Sequence, residues 1–258
     1  MRKSKRRLDT LLVEKGLVES RSKAQALILA GRVKVKINGK EVVIDKPGTS
    51  IPEDAEVEIT EKIPYVSRGG IKLEGALKTF GLEVKDFVCL DIGASTGGFT
   101  HCLLLHGAKK VYAVDVGKGQ LHYTLRNDPR VVVMEKVNAR YLTPEMFPEK
   151  FDLITIDVSF ISLKKILPVT VKLLKEEGRV LSLVKPQFEV GKKFLKKGVV
   201  RDPWLHKKVV DEMWEFGKEL GLIPAGVCES PILGPKGNKE FFILFTLASC
   251  LKVGVMIK

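Results

Sequence analysis

The chain has 258 residues, 45% hydrophobic and 29% charged, which excludes a disordered polymer and allows one large domain or two smaller ones. Lysine and arginine total 44 against 31 aspartate and glutamate, a net charge of +13 that points to an anionic partner, nucleic acid before membrane surface. Cysteines at 89, 102, 228 and 250 form no CxxC pair, so neither a disulfide scaffold nor a Cys-rich zinc site is expected, no metal is assigned, and free thiols suit a reducing cytoplasm.

The N-terminus, MRKSKRRLDT, is charged without a following apolar core, unlike a secretory signal. Residues 1–40 carry 12 basic and 3 acidic side chains, so +9 of the +13 sits there. Leu8, Leu11 and Leu12, then Ala24, Leu27 and Ile28, follow helical spacing over 7–17 and 21–31. Ser20 is placed to cap the second helix and Gly31 to end it. Val33–Ile37 alternates, Asn38-Gly39 turns, and Glu41–Ile44 returns, a strong hairpin signal. Two helices and a hairpin, heavily basic, make a small binding module and not a catalytic core. Residues 41–60 run acidic. Lys62–Gly70, with Pro64 and paired glycines, reads as a linker, with a boundary near 61–66.

From residue 70 strands and helices alternate. Strands are expected at Phe87–Ile92, Lys110–Val114, Val131–Met134, Leu153–Asp157, Val180–Val184, Gly226–Glu229 and Glu240–Leu247. Helices are expected at His101–His106 and Trp204–Leu220. Short, continuously apolar strands separated by helices indicate an α/β doubly wound sheet of about seven strands, mostly parallel. Such sheets bind ligands outside the carboxyl ends of their strands. The longest strongly apolar run, Phe241–Leu251, has 11 residues, short of the ~20 that a membrane span needs.

The first of these strands runs into Asp91-Ile-Gly-Ala-Ser-Thr-Gly-Gly-Phe-Thr100. Gly93, Gly97 and Gly98 let the backbone turn tightly and approach a ligand. The loop is neither GxxxxGK[ST] nor GxGxxG. Asp115 ends the next strand, where an acid can hold ribose hydroxyls. This combination suits S-adenosylmethionine (SAM) as well as NAD.

Four charged residues carry the candidate chemistry: Lys72, Asp157, Lys185 and Glu240. Asp157 and Lys185 fall at the carboxyl ends of adjacent expected strands. A ribose hydroxyl is a poor nucleophile without a base. A free lysine titrates near ~10.4, so a lysine base must be tuned downward. Burial and a nearby Lys72 would push Lys185 that way. Asp157 would oppose the shift but can position the ammonium group, and Glu240 can orient Lys72 or the ribose. By resemblance to known SAM-dependent methyltransferases, other methyl acceptors fit less well than a ribose hydroxyl: no cysteine stands in a Pro-Cys context, and the residues after the fourth strand are Asp157-Val-Ser-Phe160, not N/D-P-P-Y/F.

The pattern RLDTLLVEKGLVESRSKAQALILAGRVKVKINGKEV resembles the S4-type RNA-binding domain. That resemblance implies an α+β module at 1–60 binding structured RNA through Arg7, Arg21, Lys23, Arg32 and Lys34, a linker at 61–69, and a catalytic domain at 70–248 before a tail at 249–258. DIGASTGGFT resembles motif I of SAM-dependent methyltransferases. It implies that Asp91 and the loop Gly93, Ala94, Ser95, Thr96, Gly97, Gly98 and Phe99 hold the methionine part of SAM. By the same resemblance Asp115 holds the ribose, Asn138 lies near the adenine, and Asp157 borders the cofactor. The K…D…K…E order resembles FtsJ-like ribose 2′-O-methyltransferases. With the matching stretches SRGGIKLEGAL, DVSFISL, LVKPQFEVGK and GNKEF, the whole chain resembles the TlyA family of ribosomal RNA 2′-O-methyltransferases, some historically called haemolysin A. This implies cytidine ribose methylation in 16S and/or 23S rRNA, with 30S and/or 50S subunits as substrate, no stable membrane association, and a cytoplasmic location. The alternatives are an RNA-binding protein with an inactive methyltransferase fold, or a membrane-active haemolysin.

Overall fold

The computed structural model describes residues 4–29, 31–37, 40–59 and 65–247. The expected Asn38-Gly39 turn, residues 61–64 of the expected linker and the 249–258 tail lie outside the described residues. The chain divides into two compact units, Met1–Arg68 and Gly69–Lys258.

The first unit contains β1 (Lys5–Arg7), α1 (Leu8–Glu14), α2 (Arg21–Leu29), β2 (Val33–Ile37), β3 (Lys40–Val43), β4 (Ser50–Pro52) and β5 (Glu56–Ile59). Helical spacing puts Leu8, Leu11 and Leu12 on one face of α1, and Ala24 and Ile28 on one face of α2. All five are buried with Val33, Val35 and Ile51, while Leu27 is only partly buried. Helix α1 stops earlier than its periodicity implies, because Gly16 turns the chain at φ +66°. Ser20 Oγ accepts from the Lys23 N–H at 3.2 Å, capping α2. At the other end Gly31 takes φ +68°, and the Arg32 N–H bonds the Leu27 carbonyl at 2.9 Å, closing the helix. Strand β2 pairs antiparallel with β3 and with β5, and β1 pairs with β4. Both β4 and β5 come from the stretch read only as an acidic run. They are three and four residues long, too short for periodicity to reveal.

Asp9 is the polar centre of this unit. It is fully buried and accepts from Arg7 at 3.0 and 2.9 Å, from Arg21 at 3.1 Å and from Gln25 at 3.0 Å. The Arg7 guanidinium first of all, with Gln25 and Arg21, holds its carboxyl well below the usual aspartate range against the opposing effect of burial. Replacement by alanine removes the charge-assisted hydrogen bonds from Arg7, Arg21 and Gln25 at a fully buried position, so Asp9→Ala should cost the unit roughly 2 kcal/mol, read by denaturant unfolding. Because the folded state binds this proton less tightly than the unfolded chain, the Asp9 contribution is present above about pH 4 and fades as pH falls below it. An Asp9→Ala protein should lack that acid-dependent part.

The second unit contains α3 (Gly69–Phe80), β6 (Val88–Ile92), α4 (Gly98–Leu105), β7 (Lys110–Asp115), α5 (Tyr123–Arg126), β8 (Val131–Glu135), β9 (Phe151–Ile156), α6 (Leu167–Leu173), β10 (Leu174–Val184), α7 (Pro186–Glu189), α8 (Pro203–Glu219), β11 (Leu222–Glu229) and β12 (Phe241–Leu247). Its sheet has the order β11-β12-β10-β9-β6-β7-β8. Strands β10, β9, β6, β7 and β8 run parallel, and β12 is antiparallel to both neighbours. The core holds the strand interiors, including Leu90, Ile92, Ile154, Ile156, Val180 and Val184, against Val209 and Met213 of α8.

All seven expected strands are present, with shifted ends. Asp157 follows β9 and Glu240 precedes β12; neither belongs to its strand. Helix α4 starts at Gly98, earlier than expected, because Gly97 at φ +96° turns the loop directly into it. Chain connections leave β6 for β7 on one side, while β9 lies on the other. This switch point opens a crevice at the carboxyl ends.

Candidate active site

Gly93 begins the turn after β6 at φ +86°, and a Cβ there would overlap the Asp157 backbone carbonyl. Glycine is therefore required by the closeness of the chain after β9 as well as by the left-handed turn. The Gly93 and Ala94 N–H groups both donate to the Val114 carbonyl, at 2.9 and 3.1 Å, so the loop is anchored to β7. Asp115, at the end of β7, accepts from the Ser95 N–H at 2.8 Å and the Gly117 N–H at 2.7 Å. One carboxylate thus fixes both loops that flank the crevice.

These loops enclose a cavity of about 500 Å³ whose wall includes Gly93, Ser95, Asp115, Asn138 and Asp157, with apolar Val114, Val116, Val137, Ile161 and Ile166. Asn138 also caps a short turn, its Oδ1 accepting from the Arg140 N–H at 3.1 Å. Asp91, Ala94, Gly97, Gly98 and Phe99 are buried and Thr96 is exposed; none of these six is on the wall. A cavity of this size with apolar sides, a ribose-competent carboxylate and an amide fits a nucleoside-bearing cofactor such as SAM.

Asp91 is 1% exposed and accepts from Thr100 at 2.7 Å and Thr155 at 3.1 Å. Burial, helped by the nearby Asp157 charge and opposed by the two hydroxyls, pushes its carboxyl up to about 7. The folded protein therefore holds this proton more tightly than the unfolded chain, and the associated stability is lost as pH rises from about 4 to about 7. Asp91→Asn should remove that slope and make the ligand-free protein more stable than wild type at pH 8 by about 1–3 kcal/mol. Urea unfolding of both proteins at pH 5 and pH 8 checks this.

The second unit holds two ion pairs of low exposure, the first of them beside the cavity. Lys185, at the end of β10, lies 2.5 Å from Asp157 Oδ1 and donates to Ser159 Oγ at 2.9 Å. Both partners line the cavity, though Lys185 itself does not. Lys72, on α3, lies 2.6 Å from Glu240 Oε2. Gln187 Nε2, two residues beyond Lys185 in the chain, donates to Glu240 Oε1 at 3.4 Å. Lys185, Lys72 and Glu240 are 7%, 8% and 1% exposed, and only the Asp157 side chain, at 20%, keeps some contact with solvent. Pro186 opens α7 immediately after Lys185 and fixes the chain direction there.

Sequence reasoning missed Thr100, Thr155, Ser159 and Gln187. Thr155 left a signal, as a polar residue inside the apolar run Leu153–Ile156. Ser159 and Gln187 left none, because their partners stand 26 and 53 positions away, while Thr100, nine positions from Asp91, showed only as the end of the glycine turn. In the first unit, Arg7 and Arg21 are engaged with Asp9, Lys23 pairs with Glu19 at 3.2 Å and Lys34 with Glu41 at 3.4 Å, and Arg32 is partly buried. The Arg7 and Arg21 side chains remain 50% and 56% exposed, so the Asp9 contacts leave guanidinium surface facing solvent.

A sheet of this order, with β12 alone reversed and a glycine turn at the switch point, gives the second unit the fold of the SAM-dependent methyltransferase class. The comparisons agree: the family model for FtsJ-like methyltransferase matches residues 65–247, and that for the S4 domain matches residues 6–57. The chain is 50% identical to the provisionally named rRNA methyltransferase YqxC of Bacillus subtilis, over 94% of this chain and 86% of that protein. It is 47% identical to the 16S/23S rRNA (cytidine-2′-O)-methyltransferase TlyA of Mycobacterium tuberculosis, over 92% and 88%. A solved structure from Streptococcus thermophilus with a provisional hemolysin name shares 46% identity and a TM-score of 0.74, over 94% of this chain and 88% of that one. The chain belongs to the FtsJ-like methyltransferase family, in its TlyA branch with an S4 domain ahead of the catalytic unit. Among the described residues, no helix is long and apolar enough to cross a membrane.

Proposed function

We propose that this protein transfers a methyl group from SAM to the 2′-hydroxyl of a cytidine ribose in 16S or 23S rRNA, acting on ribosomal subunits in the cytoplasm. The observation that carries this reading is the Lys185–Asp157 pair, whose carboxylate lines a nucleoside-sized cavity, together with a second low-exposure pair, Lys72–Glu240, in the same unit.

SAM, when bound, supplies an electrophilic methyl group on a positively charged sulfur. Asp115 would hold its ribose hydroxyls and Asn138 its adenine, while Asp91 and the 93–99 loop shape the methionine end. Lys185 Nζ, as the neutral amine left once its ammonium proton has passed to solvent, takes the proton of the attacking 2′-hydroxyl, and its contacts with Asp157 and Ser159 hold that nitrogen in place. Lys72 presents positive charge to the oxygen as its electron density grows, and Glu240 keeps Lys72 oriented. In-line placement of hydroxyl oxygen and methyl carbon completes the requirement. The S4 unit, through Arg7, Arg21, Lys23, Arg32 and Lys34, supplies phosphate contacts that bring the RNA to the site.

Incubation with labelled SAM and unmodified 30S and 50S subunits, followed by mass-spectrometric mapping of the methylated ribose, tests this reading. Label on a cytidine ribose of either subunit supports it. Cofactor binding without transfer to either subunit would leave an RNA-binding protein with an inactive catalytic fold.

A further inference from the structure

Glu240 is enclosed by more than Lys72. Its Oε2 faces Lys72 at 2.6 Å and its Oε1 accepts from Gln187 at 3.4 Å. On the remaining side stands the backbone of Gly234, so close that a Cβ built there would overlap Oε1 and Cδ of Glu240. Gly234 has φ −73° and ψ −174°, an extended conformation open to any residue. Backbone freedom therefore does not demand glycine here; the absent side chain does.

Neither partner can readily give way. Glu240 is 1% exposed and tied at both oxygens. The Gly234 N–H donates to the Asn238 carbonyl at 2.8 Å. Asn238, 3% exposed, donates through Nδ2 to the carbonyls of Gly198 and Pro235, each at 3.0 Å, and accepts at Oδ1 from the Val200 N–H at 3.1 Å. The loop is thus bonded to a second segment of chain and cannot retreat alone.

We infer that Gly234 and Gln187 are positioning residues for methyl transfer: together they hold the Glu240 carboxylate where its Oε2 aims the Lys72 ammonium. This rests on the reading that the Lys72–Glu240 pair serves the reaction. Gly234 acts by having no side chain, and Gln187 by a single donated hydrogen bond.

The test uses the full chain, with single-turnover methylation of subunits and separate calorimetry of SAM. Gly234→Ala is expected to slow transfer by about tenfold with SAM affinity unchanged. Glu240→Asp withdraws the carboxylate by roughly 1.5 Å, one carbon–carbon bond, and opens the space that a Cβ needs. In that background Gly234→Ala should change the rate by less than about twofold. General loosening of the loop would give equal losses in both backgrounds, so this non-additivity separates positioning from stability. Gln187→Leu should slow transfer by about threefold, and again much less when Glu240 is aspartate. A wild-type rate for Gly234→Ala, or equal slowing in both backgrounds, overturns the inference. Glu240→Gln tests the underlying reading by itself: a wild-type rate there removes the pair from the reaction, whereas a slow Glu240→Gln with a fast Gly234→Ala defeats the positioning role alone. Should Gly234→Ala fail to fold, the Gln187→Leu comparison decides in the same way.

Discussion

Lys185→Arg is expected to lower the single-turnover methylation rate by about 1000-fold, leaving SAM and RNA affinity within a few-fold of wild type. Arginine keeps the positive charge beside Asp157 but cannot give up its proton, so it cannot serve as a base. Lys185→Ala should fail to a similar extent and also leave Asp157 without its partner at 2.5 Å. Lys72→Arg is the informative contrast. If Lys72 acts through charge and orientation, a guanidinium beside Glu240 should retain part of the rate, reduced by the tight fit of a side chain that is 10% exposed. Quench-flow methylation of bound RNA, with calorimetry for SAM, separates these cases. A near-normal rate for Lys185→Arg would eliminate lysine as the base and leave Lys185 a positioning role.

Removal of residues 1–68 should lower kcat/KM on ribosomal subunits by about a hundredfold while leaving a folded unit that binds SAM. The expectation follows from the charge distribution and from the two separate cores. The +9 block of residues 1–40 lies wholly in the first unit. The second unit encloses its own core and the whole cofactor cavity. Phosphate contacts release counterions, so RNA binding by the full chain should weaken steeply with salt, and the truncated chain should show a much shallower slope. Filter binding at several salt concentrations and steady-state methylation measure the two effects. Equal rates for truncated and full chains would show that the S4 unit does not target the enzyme to its substrate.

Much of this protein could be read from local pattern. The alternation of short apolar strands with helices specified an α/β sheet, because strands buried on both faces are apolar throughout. The turn Asp91–Thr100 declared itself by glycines bunched after a strand. Asp157 and Lys185 were placed together because both follow adjacent strands of a parallel sheet, and parallel strands deliver their carboxyl ends to one edge. The basic N-terminal module was legible in charge and helical spacing alone.

What tertiary structure decided was which groups meet. Sequence left Glu240 free to orient either Lys72 or a ribose, and the fold pairs it with Lys72 across 168 positions of chain. Gly93 looked like a turn residue with space kept for ligand, yet its missing Cβ makes room for the Asp157 carbonyl. Arg7 and Arg21 read simply as RNA-binding charges, but they also enclose a buried aspartate. Gly234 gave no signal at all, since its backbone is ordinary and only the Glu240 carboxylate makes its size matter. Periodicity and composition report how each residue meets its own neighbours and solvent. Contacts between distant segments depend on strand order and loop path, which only the folded chain defines.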